Sequence, residues 1–155
     1  MKAALSLGLV LTVTTFGSLS VSGTAYAVNA NISGTACRNY NAGEANDIDY
    51  VTQGARNASA SPRAVICPIV RSPTTTNAVS VYVDGFAATG QTIFCELLSF
   101  DYTGKFLGYQ AFSAGRTGTF DVFLTVPGSY WGNASVLCTL PPNFQGLLYN
   151  VDVVQ

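Results

Sequence analysis

AVSVYVDGF at 78–86, QTIFCELLSF at 91–100, KFLGYQAFS at 105–113, TGTFDVFLTV at 117–126 and ASVLCTL at 134–140 follow one another with only short polar breaks. Val79, Val81 and Val83 alternate with Ser80, Tyr82 and Asp84, and Phe120, Val122 and Leu124 alternate with Asp121 and Phe123. A period of two marks strands with one buried face. The 91–100 segment is apolar on both sides, with Ile93, Cys95 and Leu97 opposed to Phe94, Leu98 and Phe100. That pattern predicts an interior strand. Asp101-Tyr102-Thr103-Gly104 reads as a hairpin turn in which Gly supplies a positive φ.

The same grammar extends outward. Asp47 to Thr52 alternates, and Leu147, Tyr149, Val151 and Val153 share one face of a last strand. Arg63 to Arg71 is β-branched and apolar, but Pro68 has no N–H, so this strand should be an edge or carry a bulge there. Gln53 to Pro62 reads as a loop or a weak edge strand. We count eight or nine strands, with no capped segment of helical period after residue 28. The chain is therefore all-β, and a two-sheet antiparallel sandwich of jelly-roll or immunoglobulin-like kind is favoured over a closed barrel.

Met1-Lys2, an apolar run to about Leu19 and Ala25-Tyr26-Ala27 have the form of a secretory signal peptide over 1–27. The run is too short and too rich in Thr, Ser and Gly for a membrane span. One domain, 28–155, remains. It loses Lys2 with the leader and keeps six basic against eight acidic residues. A net charge near −2 argues against nucleic acid or an anionic membrane surface as partner, since both demand a basic patch. Charged residues make up 10% of the chain, far below the usual quarter, which leaves few charges to oppose self-association.

Cys37, Cys67, Cys95 and Cys138 are spaced by 30, 28 and 43 residues. With no C-x-x-C pair and no histidine in the chain, a zinc site is excluded in favour of two disulfides in an oxidising compartment. Of three possible pairings, neighbours in order favour Cys37–Cys67 with Cys95–Cys138. Each bridge would contribute about 3 kcal/mol.

The missing histidine also removes Ser-His-Asp and Cys-His catalysis. Ala111-Phe112-Ser113-Ala114-Gly115 imitates a nucleophile elbow but lacks the following helix and the base. No phosphate-cradling glycine loop is present, and no cofactor is implied. Eight acids remain as material for a carboxylate-dependent glycan hydrolase, and Glu96 stands out among them, mid-strand between Phe94 and Leu98. A hard cation would find its carboxylates at Asp47 and Asp49, although no EF-hand loop accompanies them. Tyr130 and Trp131, just after a Pro-Gly turn, are placed to stack on a sugar ring, unless Trp131 plugs the end of the core. Tyr82, Tyr102, Phe123 and Phe144 stand at positions open to solvent. Three Asn-x-Ser sequons begin at Asn31, Asn57 and Asn133.

Cys37, Cys67-Pro68-Ile69-Val70-Arg71, Val81-Tyr82-Val83, Cys95, Cys138-Thr139-Leu140-Pro141-Pro142 and a closing Leu-x-Tyr-x-Val at 147–151 stand in an order similar to that of a group of small secreted bacterial proteins. The resemblance covers most of residues 35–153. It implies a two-disulfide β-sandwich with the pairing above, and no activity. The sequence thus predicts a secreted, non-catalytic binding protein, with a glycan or cell-envelope polymer as the expected partner. The alternatives are a self-assembling surface or matrix subunit and, behind it, the glycan hydrolase.

Overall fold

A computed structural model of the chain describes residues 29–115 and 118–154. The predicted leader at 1–27 lies outside them. The strands are β1 (Ala30–Ser33), β2 (Arg38–Asn39), β3 (Ile48–Val51), β4 (Gly54–Asn57), β5 (Arg63–Ile69), β6 (Val79–Ala87), β7 (Thr92–Phe100), β8 (Phe106–Gly115), β9 (Gly118–Val126), β10 (Asn133–Leu140) and β11 (Gly146–Val154). Two single-turn 3-10 segments, Gly34–Ala36 and Ala42–Glu44, are the only helical elements among the described residues. Eleven strands exceed the expected eight or nine by β2, which is only two residues long, and by the short, weakly marked segments β1 and β4.

The strands form two antiparallel sheets. Sheet A runs β3-β4-β11-β6-β9, with β1 also on β11, and sheet B runs β2-β5-β10-β7-β8. The pairings have a simple origin. The chain folds at Asp101–Lys105 into one long ribbon, in which β7 meets β8, β6 meets β9, β5 meets β10 and β4 meets β11. Winding this ribbon brings β11 beside β6 and β10 beside β7. That is the jelly roll, and it decides against the immunoglobulin-like order. The fold point is built as expected. Asp101 Oδ1 accepts from the N–H groups of Thr103 (2.8 Å) and Lys105 (2.9 Å), and Gly104 has φ 85°.

The inner faces meet in an aliphatic core of Val65, Val81, Val83, Ile93, Leu97, Leu124, Val136, Leu140, Leu148, Val151 and Val153. Both disulfides have the expected pairing, Cys37–Cys67 and Cys95–Cys138, each with its Cα atoms 4.1 Å apart. Both lie on the core side of sheet B. Cys95 stands directly opposite Cys138 across β7 and β10, and all four cysteines are buried. Disulfides of this kind persist in oxidising compartments. Among the described residues no helix is long and apolar enough to cross a membrane.

Two further expectations meet the structure differently. The polar 53–62 stretch does contain a strand, β4, but it is an interior one, flanked by β3 and β11. Its first residue, Gly54, has φ 149°, and a Cβ there would come within 1.9 Å of the Leu148 carbonyl oxygen, so only glycine lets the backbone approach β11 this closely. Pro68 lies in β5, between β2 and β10, yet β2 covers only Val65 and Ile66. Tyr40 donates its N–H to the carbonyl of Ala64. By alternation from Ala64 the Pro68 nitrogen also faces the β2 side, past the end of that strand. The edge that proline requires is therefore a local one.

Candidate functional site

None of the aromatic side chains among the described residues is buried, and eleven are exposed. In a sandwich of this size aromatic rings ordinarily carry much of the core. Here valine, leucine and isoleucine fill most of it, Phe112 and Phe120 pack half-buried against it, and most of the rings stand exposed.

The outer face of sheet A gathers two of them with polar partners. Alternation buries Val81, Val83, Leu124, Val151 and Val153, so Tyr82, Asp84, Asp121, Phe123 and Asp152 point outward. Strand register sets Phe123, Tyr82, Asp152 and Asn31 side by side at one level. Asp121, Asp84, Asn150 and Ser33 stand at the next level. The Tyr82 and Phe123 rings pack with centroids 5.0 Å apart at 53°. Asn31 donates its amide N–H to Asp152 Oδ1, and Asn150 donates to Asp84 Oδ2 at 2.6 Å. Beyond the rings the hydroxyls of Ser80 and Thr125 lie 3.0 Å apart. A depression of about 370 Å³ opens beside Tyr82, lined by Asn29, Ala30, Asn31, Asp152, Val153 and Val154.

Asp84 is the electrostatic centre of this face. Burial, then the charges of Asp121 and Asp152, then a hydrogen bond with Asp121 push its carboxyl up to about 6, against the opposing bond from Asn150. Among the described residues no three Asp, Glu, Cys or His side chains are grouped so as to hold a metal ion. The face therefore offers an apolar ring platform beside carboxylate and amide groups. This combination binds polyols: rings stack on the C–H faces of a sugar, and carboxylates and amides bond its hydroxyls.

The residues singled out from the sequence are scattered. Trp131 is 67% exposed and Tyr130 56% exposed, at the tip of the β9–β10 loop. Trp131 does not plug the core. Its backbone φ is 54°, a left-handed conformation uncommon for a bulky side chain, held by its N–H on the Pro73 carbonyl at 2.8 Å. Tyr130 and Trp131 belong to the β9–β10 loop, whereas Tyr82 and Phe123 stand within β6 and β9. Tyr102, in the β7–β8 turn, and Phe144, in the β10–β11 loop, are exposed. Phe144 carries the Arg56 guanidinium 4.7 Å above its ring.

Asp47 and Asp49, the candidate cation ligands, are each paired with an arginine. Arg63 Nε donates to Asp47 Oδ2 and Arg56 Nη2 to Asp49 Oδ2, each at 2.6 Å. Each carboxylate is neutralised by its own arginine, so a calcium ion would have to displace two ion pairs. Of the sequons, Asn57 is buried, with its amide donating to the carbonyls of Ser61 and Leu140. No glycan can be attached to it in the folded state. Asn133 is exposed, and Asn31 belongs to the sheet A face.

No family model and no curated protein sequence matches the chain. Several solved structures share its fold. The chain superimposes on the CBM36-1 domain of a multidomain xylanase from the hindgut metagenome of Trinervitermes trinervoides with a TM-score of 0.55 at 9% identity, over 83% of this chain and 98% of that one. The C-terminal CBM6 of LamC, a marine laminarinase from Zobellia galactanivorans, gives 0.52 at 12% identity, over 83% and 100%. A xylan-binding module, CBM15, gives 0.50 at 16% identity, over 82% and 95%. At these identities the likeness is one of fold.

Proposed function

We propose that the chain is a secreted, non-catalytic carbohydrate-binding β-sandwich that holds a glycan across the outer face of β9, β6, β11 and β1. The observation that carries this reading is the exposed Tyr82–Phe123 pair, set level with Asp152 and Asn31 and one step from Asp84, Asp121 and Asn150. Support comes from the fold shared with carbohydrate-binding modules, one of them xylan-binding, and from buried disulfides suited to life outside the cell.

The test is affinity electrophoresis of residues 28–155 against a panel of soluble plant and algal polysaccharides, xylan included. Retardation by at least one of them, lost in Tyr82→Ala and in Phe123→Ala, is expected. Binding that survives both substitutions refutes this face as the site. A second reading places the sugar on Tyr130 and Trp131, and the left-handed backbone of an exposed tryptophan favours it. Loss of binding in Trp131→Ala alone would select it.

A further inference from the structure

We propose that the outer face of sheet B docks a second copy of this chain, face to face, about a twofold axis running between β5 and β10. The argument comes from register. Arg38 stands opposite Ile66, Ile66 opposite Leu137, and Leu137 opposite Glu96, so these four residues cross β2, β5, β10 and β7 at one level. Their sequence neighbours Cys37, Val65, Cys67, Val136, Cys138, Cys95 and Leu97 are buried in the core, which turns all four outward. At the adjacent level stand Tyr40, held by its N–H on the Ala64 carbonyl, then Ala64, Thr139 and Phe94.

A twofold axis lying in the interface along the strands exchanges β2 with β7 and β5 with β10. It sets Arg38 of each copy over Glu96 of the other, Tyr40 over Phe94, and Ile66 over Leu137. Each level is thus its own complement, as an isologous interface requires. Within one chain Arg38 and Glu96 are three strands apart, about 14 Å, too far to pair. Neither enters a salt bridge among the described residues. Glu96 is half-buried between Phe94, which is 39% exposed, and Leu98. Stacked sheets cross at about 30°, so the levels drift by a few ångströms away from the axis, within the reach of an arginine.

The paired region is four strands wide, about 19 Å, and buries on the order of 1,000 Å² in total. That is the low end of specific interfaces, so the dimer is weak and forms in the micromolar range or above. It leaves both sheet A faces pointing away from each other. If those bind glycan as proposed above, the pair is bivalent.

The test is sedimentation of residues 28–155 from about 5 µM to about 1 mM. The wild type is expected to pass from monomer to dimer. Glu96→Arg and Arg38→Glu each place like charges at both contact points and are expected to weaken association at least tenfold. Mixed one to one, the two variants carry opposite charges at both points and are expected to form a heterodimer. The doubly exchanged chain, R38E/E96R, should dimerise like the wild type. A wild type that stays monomeric at 1 mM overturns the proposal. So do single variants that dimerise unchanged, and so does a mixture that fails to associate. None of these readouts depends on sugar.

Discussion

Replacing Asp84 by asparagine tests the electrostatics of the sheet A face directly. The carboxyl of Asp84 moves from an ordinary 3.8 to about 6 on folding. An acid whose folded-state value is raised holds its proton more tightly in the native state, so its stabilising contribution is complete below about 3.8 and is lost as pH rises through 6. Two units would amount to about 3 kcal/mol at face value. Asp84 is only half-buried, so solvent screening reduces the expected effect to about 1 kcal/mol. The substituted side chain keeps a carbonyl acceptor for the Asn150 amide and loses only the charge. Urea unfolding of both proteins at pH 4, 5, 6 and 7 measures the difference. At pH 4 the midpoints should nearly coincide. At pH 7 the variant should be the more stable by about 1 kcal/mol, or about 0.5 to 1 M urea. Subtracting the two curves removes the titrations not coupled to Asp84, including that of Asp101, whose carboxyl is held low by its bond from Thr103. A difference that stays constant from pH 4 to 7, or that favours the wild type as pH rises, refutes the clustered-carboxylate account of this face.

Removing the Cys95–Cys138 bridge by C95A/C138A opens a 43-residue connection and should cost about 4 kcal/mol in urea unfolding. The 30-residue Cys37–Cys67 bridge should cost slightly less, about 3.5 kcal/mol. Asn57→Ala takes the donor from the Leu140 and Ser61 carbonyls in a fully buried site, and should cost about 2 to 3 kcal/mol by the same measurement. Gly54→Ala forces a methyl group against the Leu148 carbonyl, and should lower the melting temperature by at least about 10 °C. Trp131→Ala, by contrast, removes an exposed side chain and should change stability by less than about 0.5 kcal/mol.

Local physics made much of this fold legible. Period-two alternation located β6, β9 and β11, the double-sided apolarity of 91–100 placed β7 between two neighbours, and Asp101 and Gly104 marked the fold point of the ribbon. Order along the chain was enough to pair the cysteines. The topology was not legible, because a jelly roll and an immunoglobulin-like sandwich differ only in which distant strands meet. β4 was legible only as a loop or a weak edge strand for a related reason. Its GARN sequence carries no apolar alternation, since the strand is buried by the closeness of β11 rather than by large side chains. The candidate site divides in the same way. The outward aspect of Tyr82 and Phe123 could be read from alternation within each strand. Their contact depends on a β6–β9 pairing 41 residues apart in sequence, as does the meeting of Asp84 with Asp121. Asp47 and Asp49 looked available to a cation because the sequence does not show Arg56 and Arg63 folding back onto them.

The placement of the aromatic residues links stability to function. Burial contributes in proportion to area, about 25 cal/mol per Å², so a core of valine and leucine is a smaller stabilising reservoir than one built on phenylalanine and tyrosine. Two buried disulfides in sheet B offset that deficit by constraining the unfolded chain. Most of the rings stand exposed instead, and the two outer faces set them in different surroundings. On sheet A, Tyr82 and Phe123 stand among carboxylates and amides, groups that can exchange water for sugar hydroxyls. On sheet B, Phe94 and Tyr40 stand among Ile66, Leu137 and Leu98, with a single Arg38 and Glu96 at matched distances from a central line. A polar ring platform suits a hydroxylated ligand that comes and goes. An apolar face with one charge of each sign suits a surface that has to recognise its own copy in a single register.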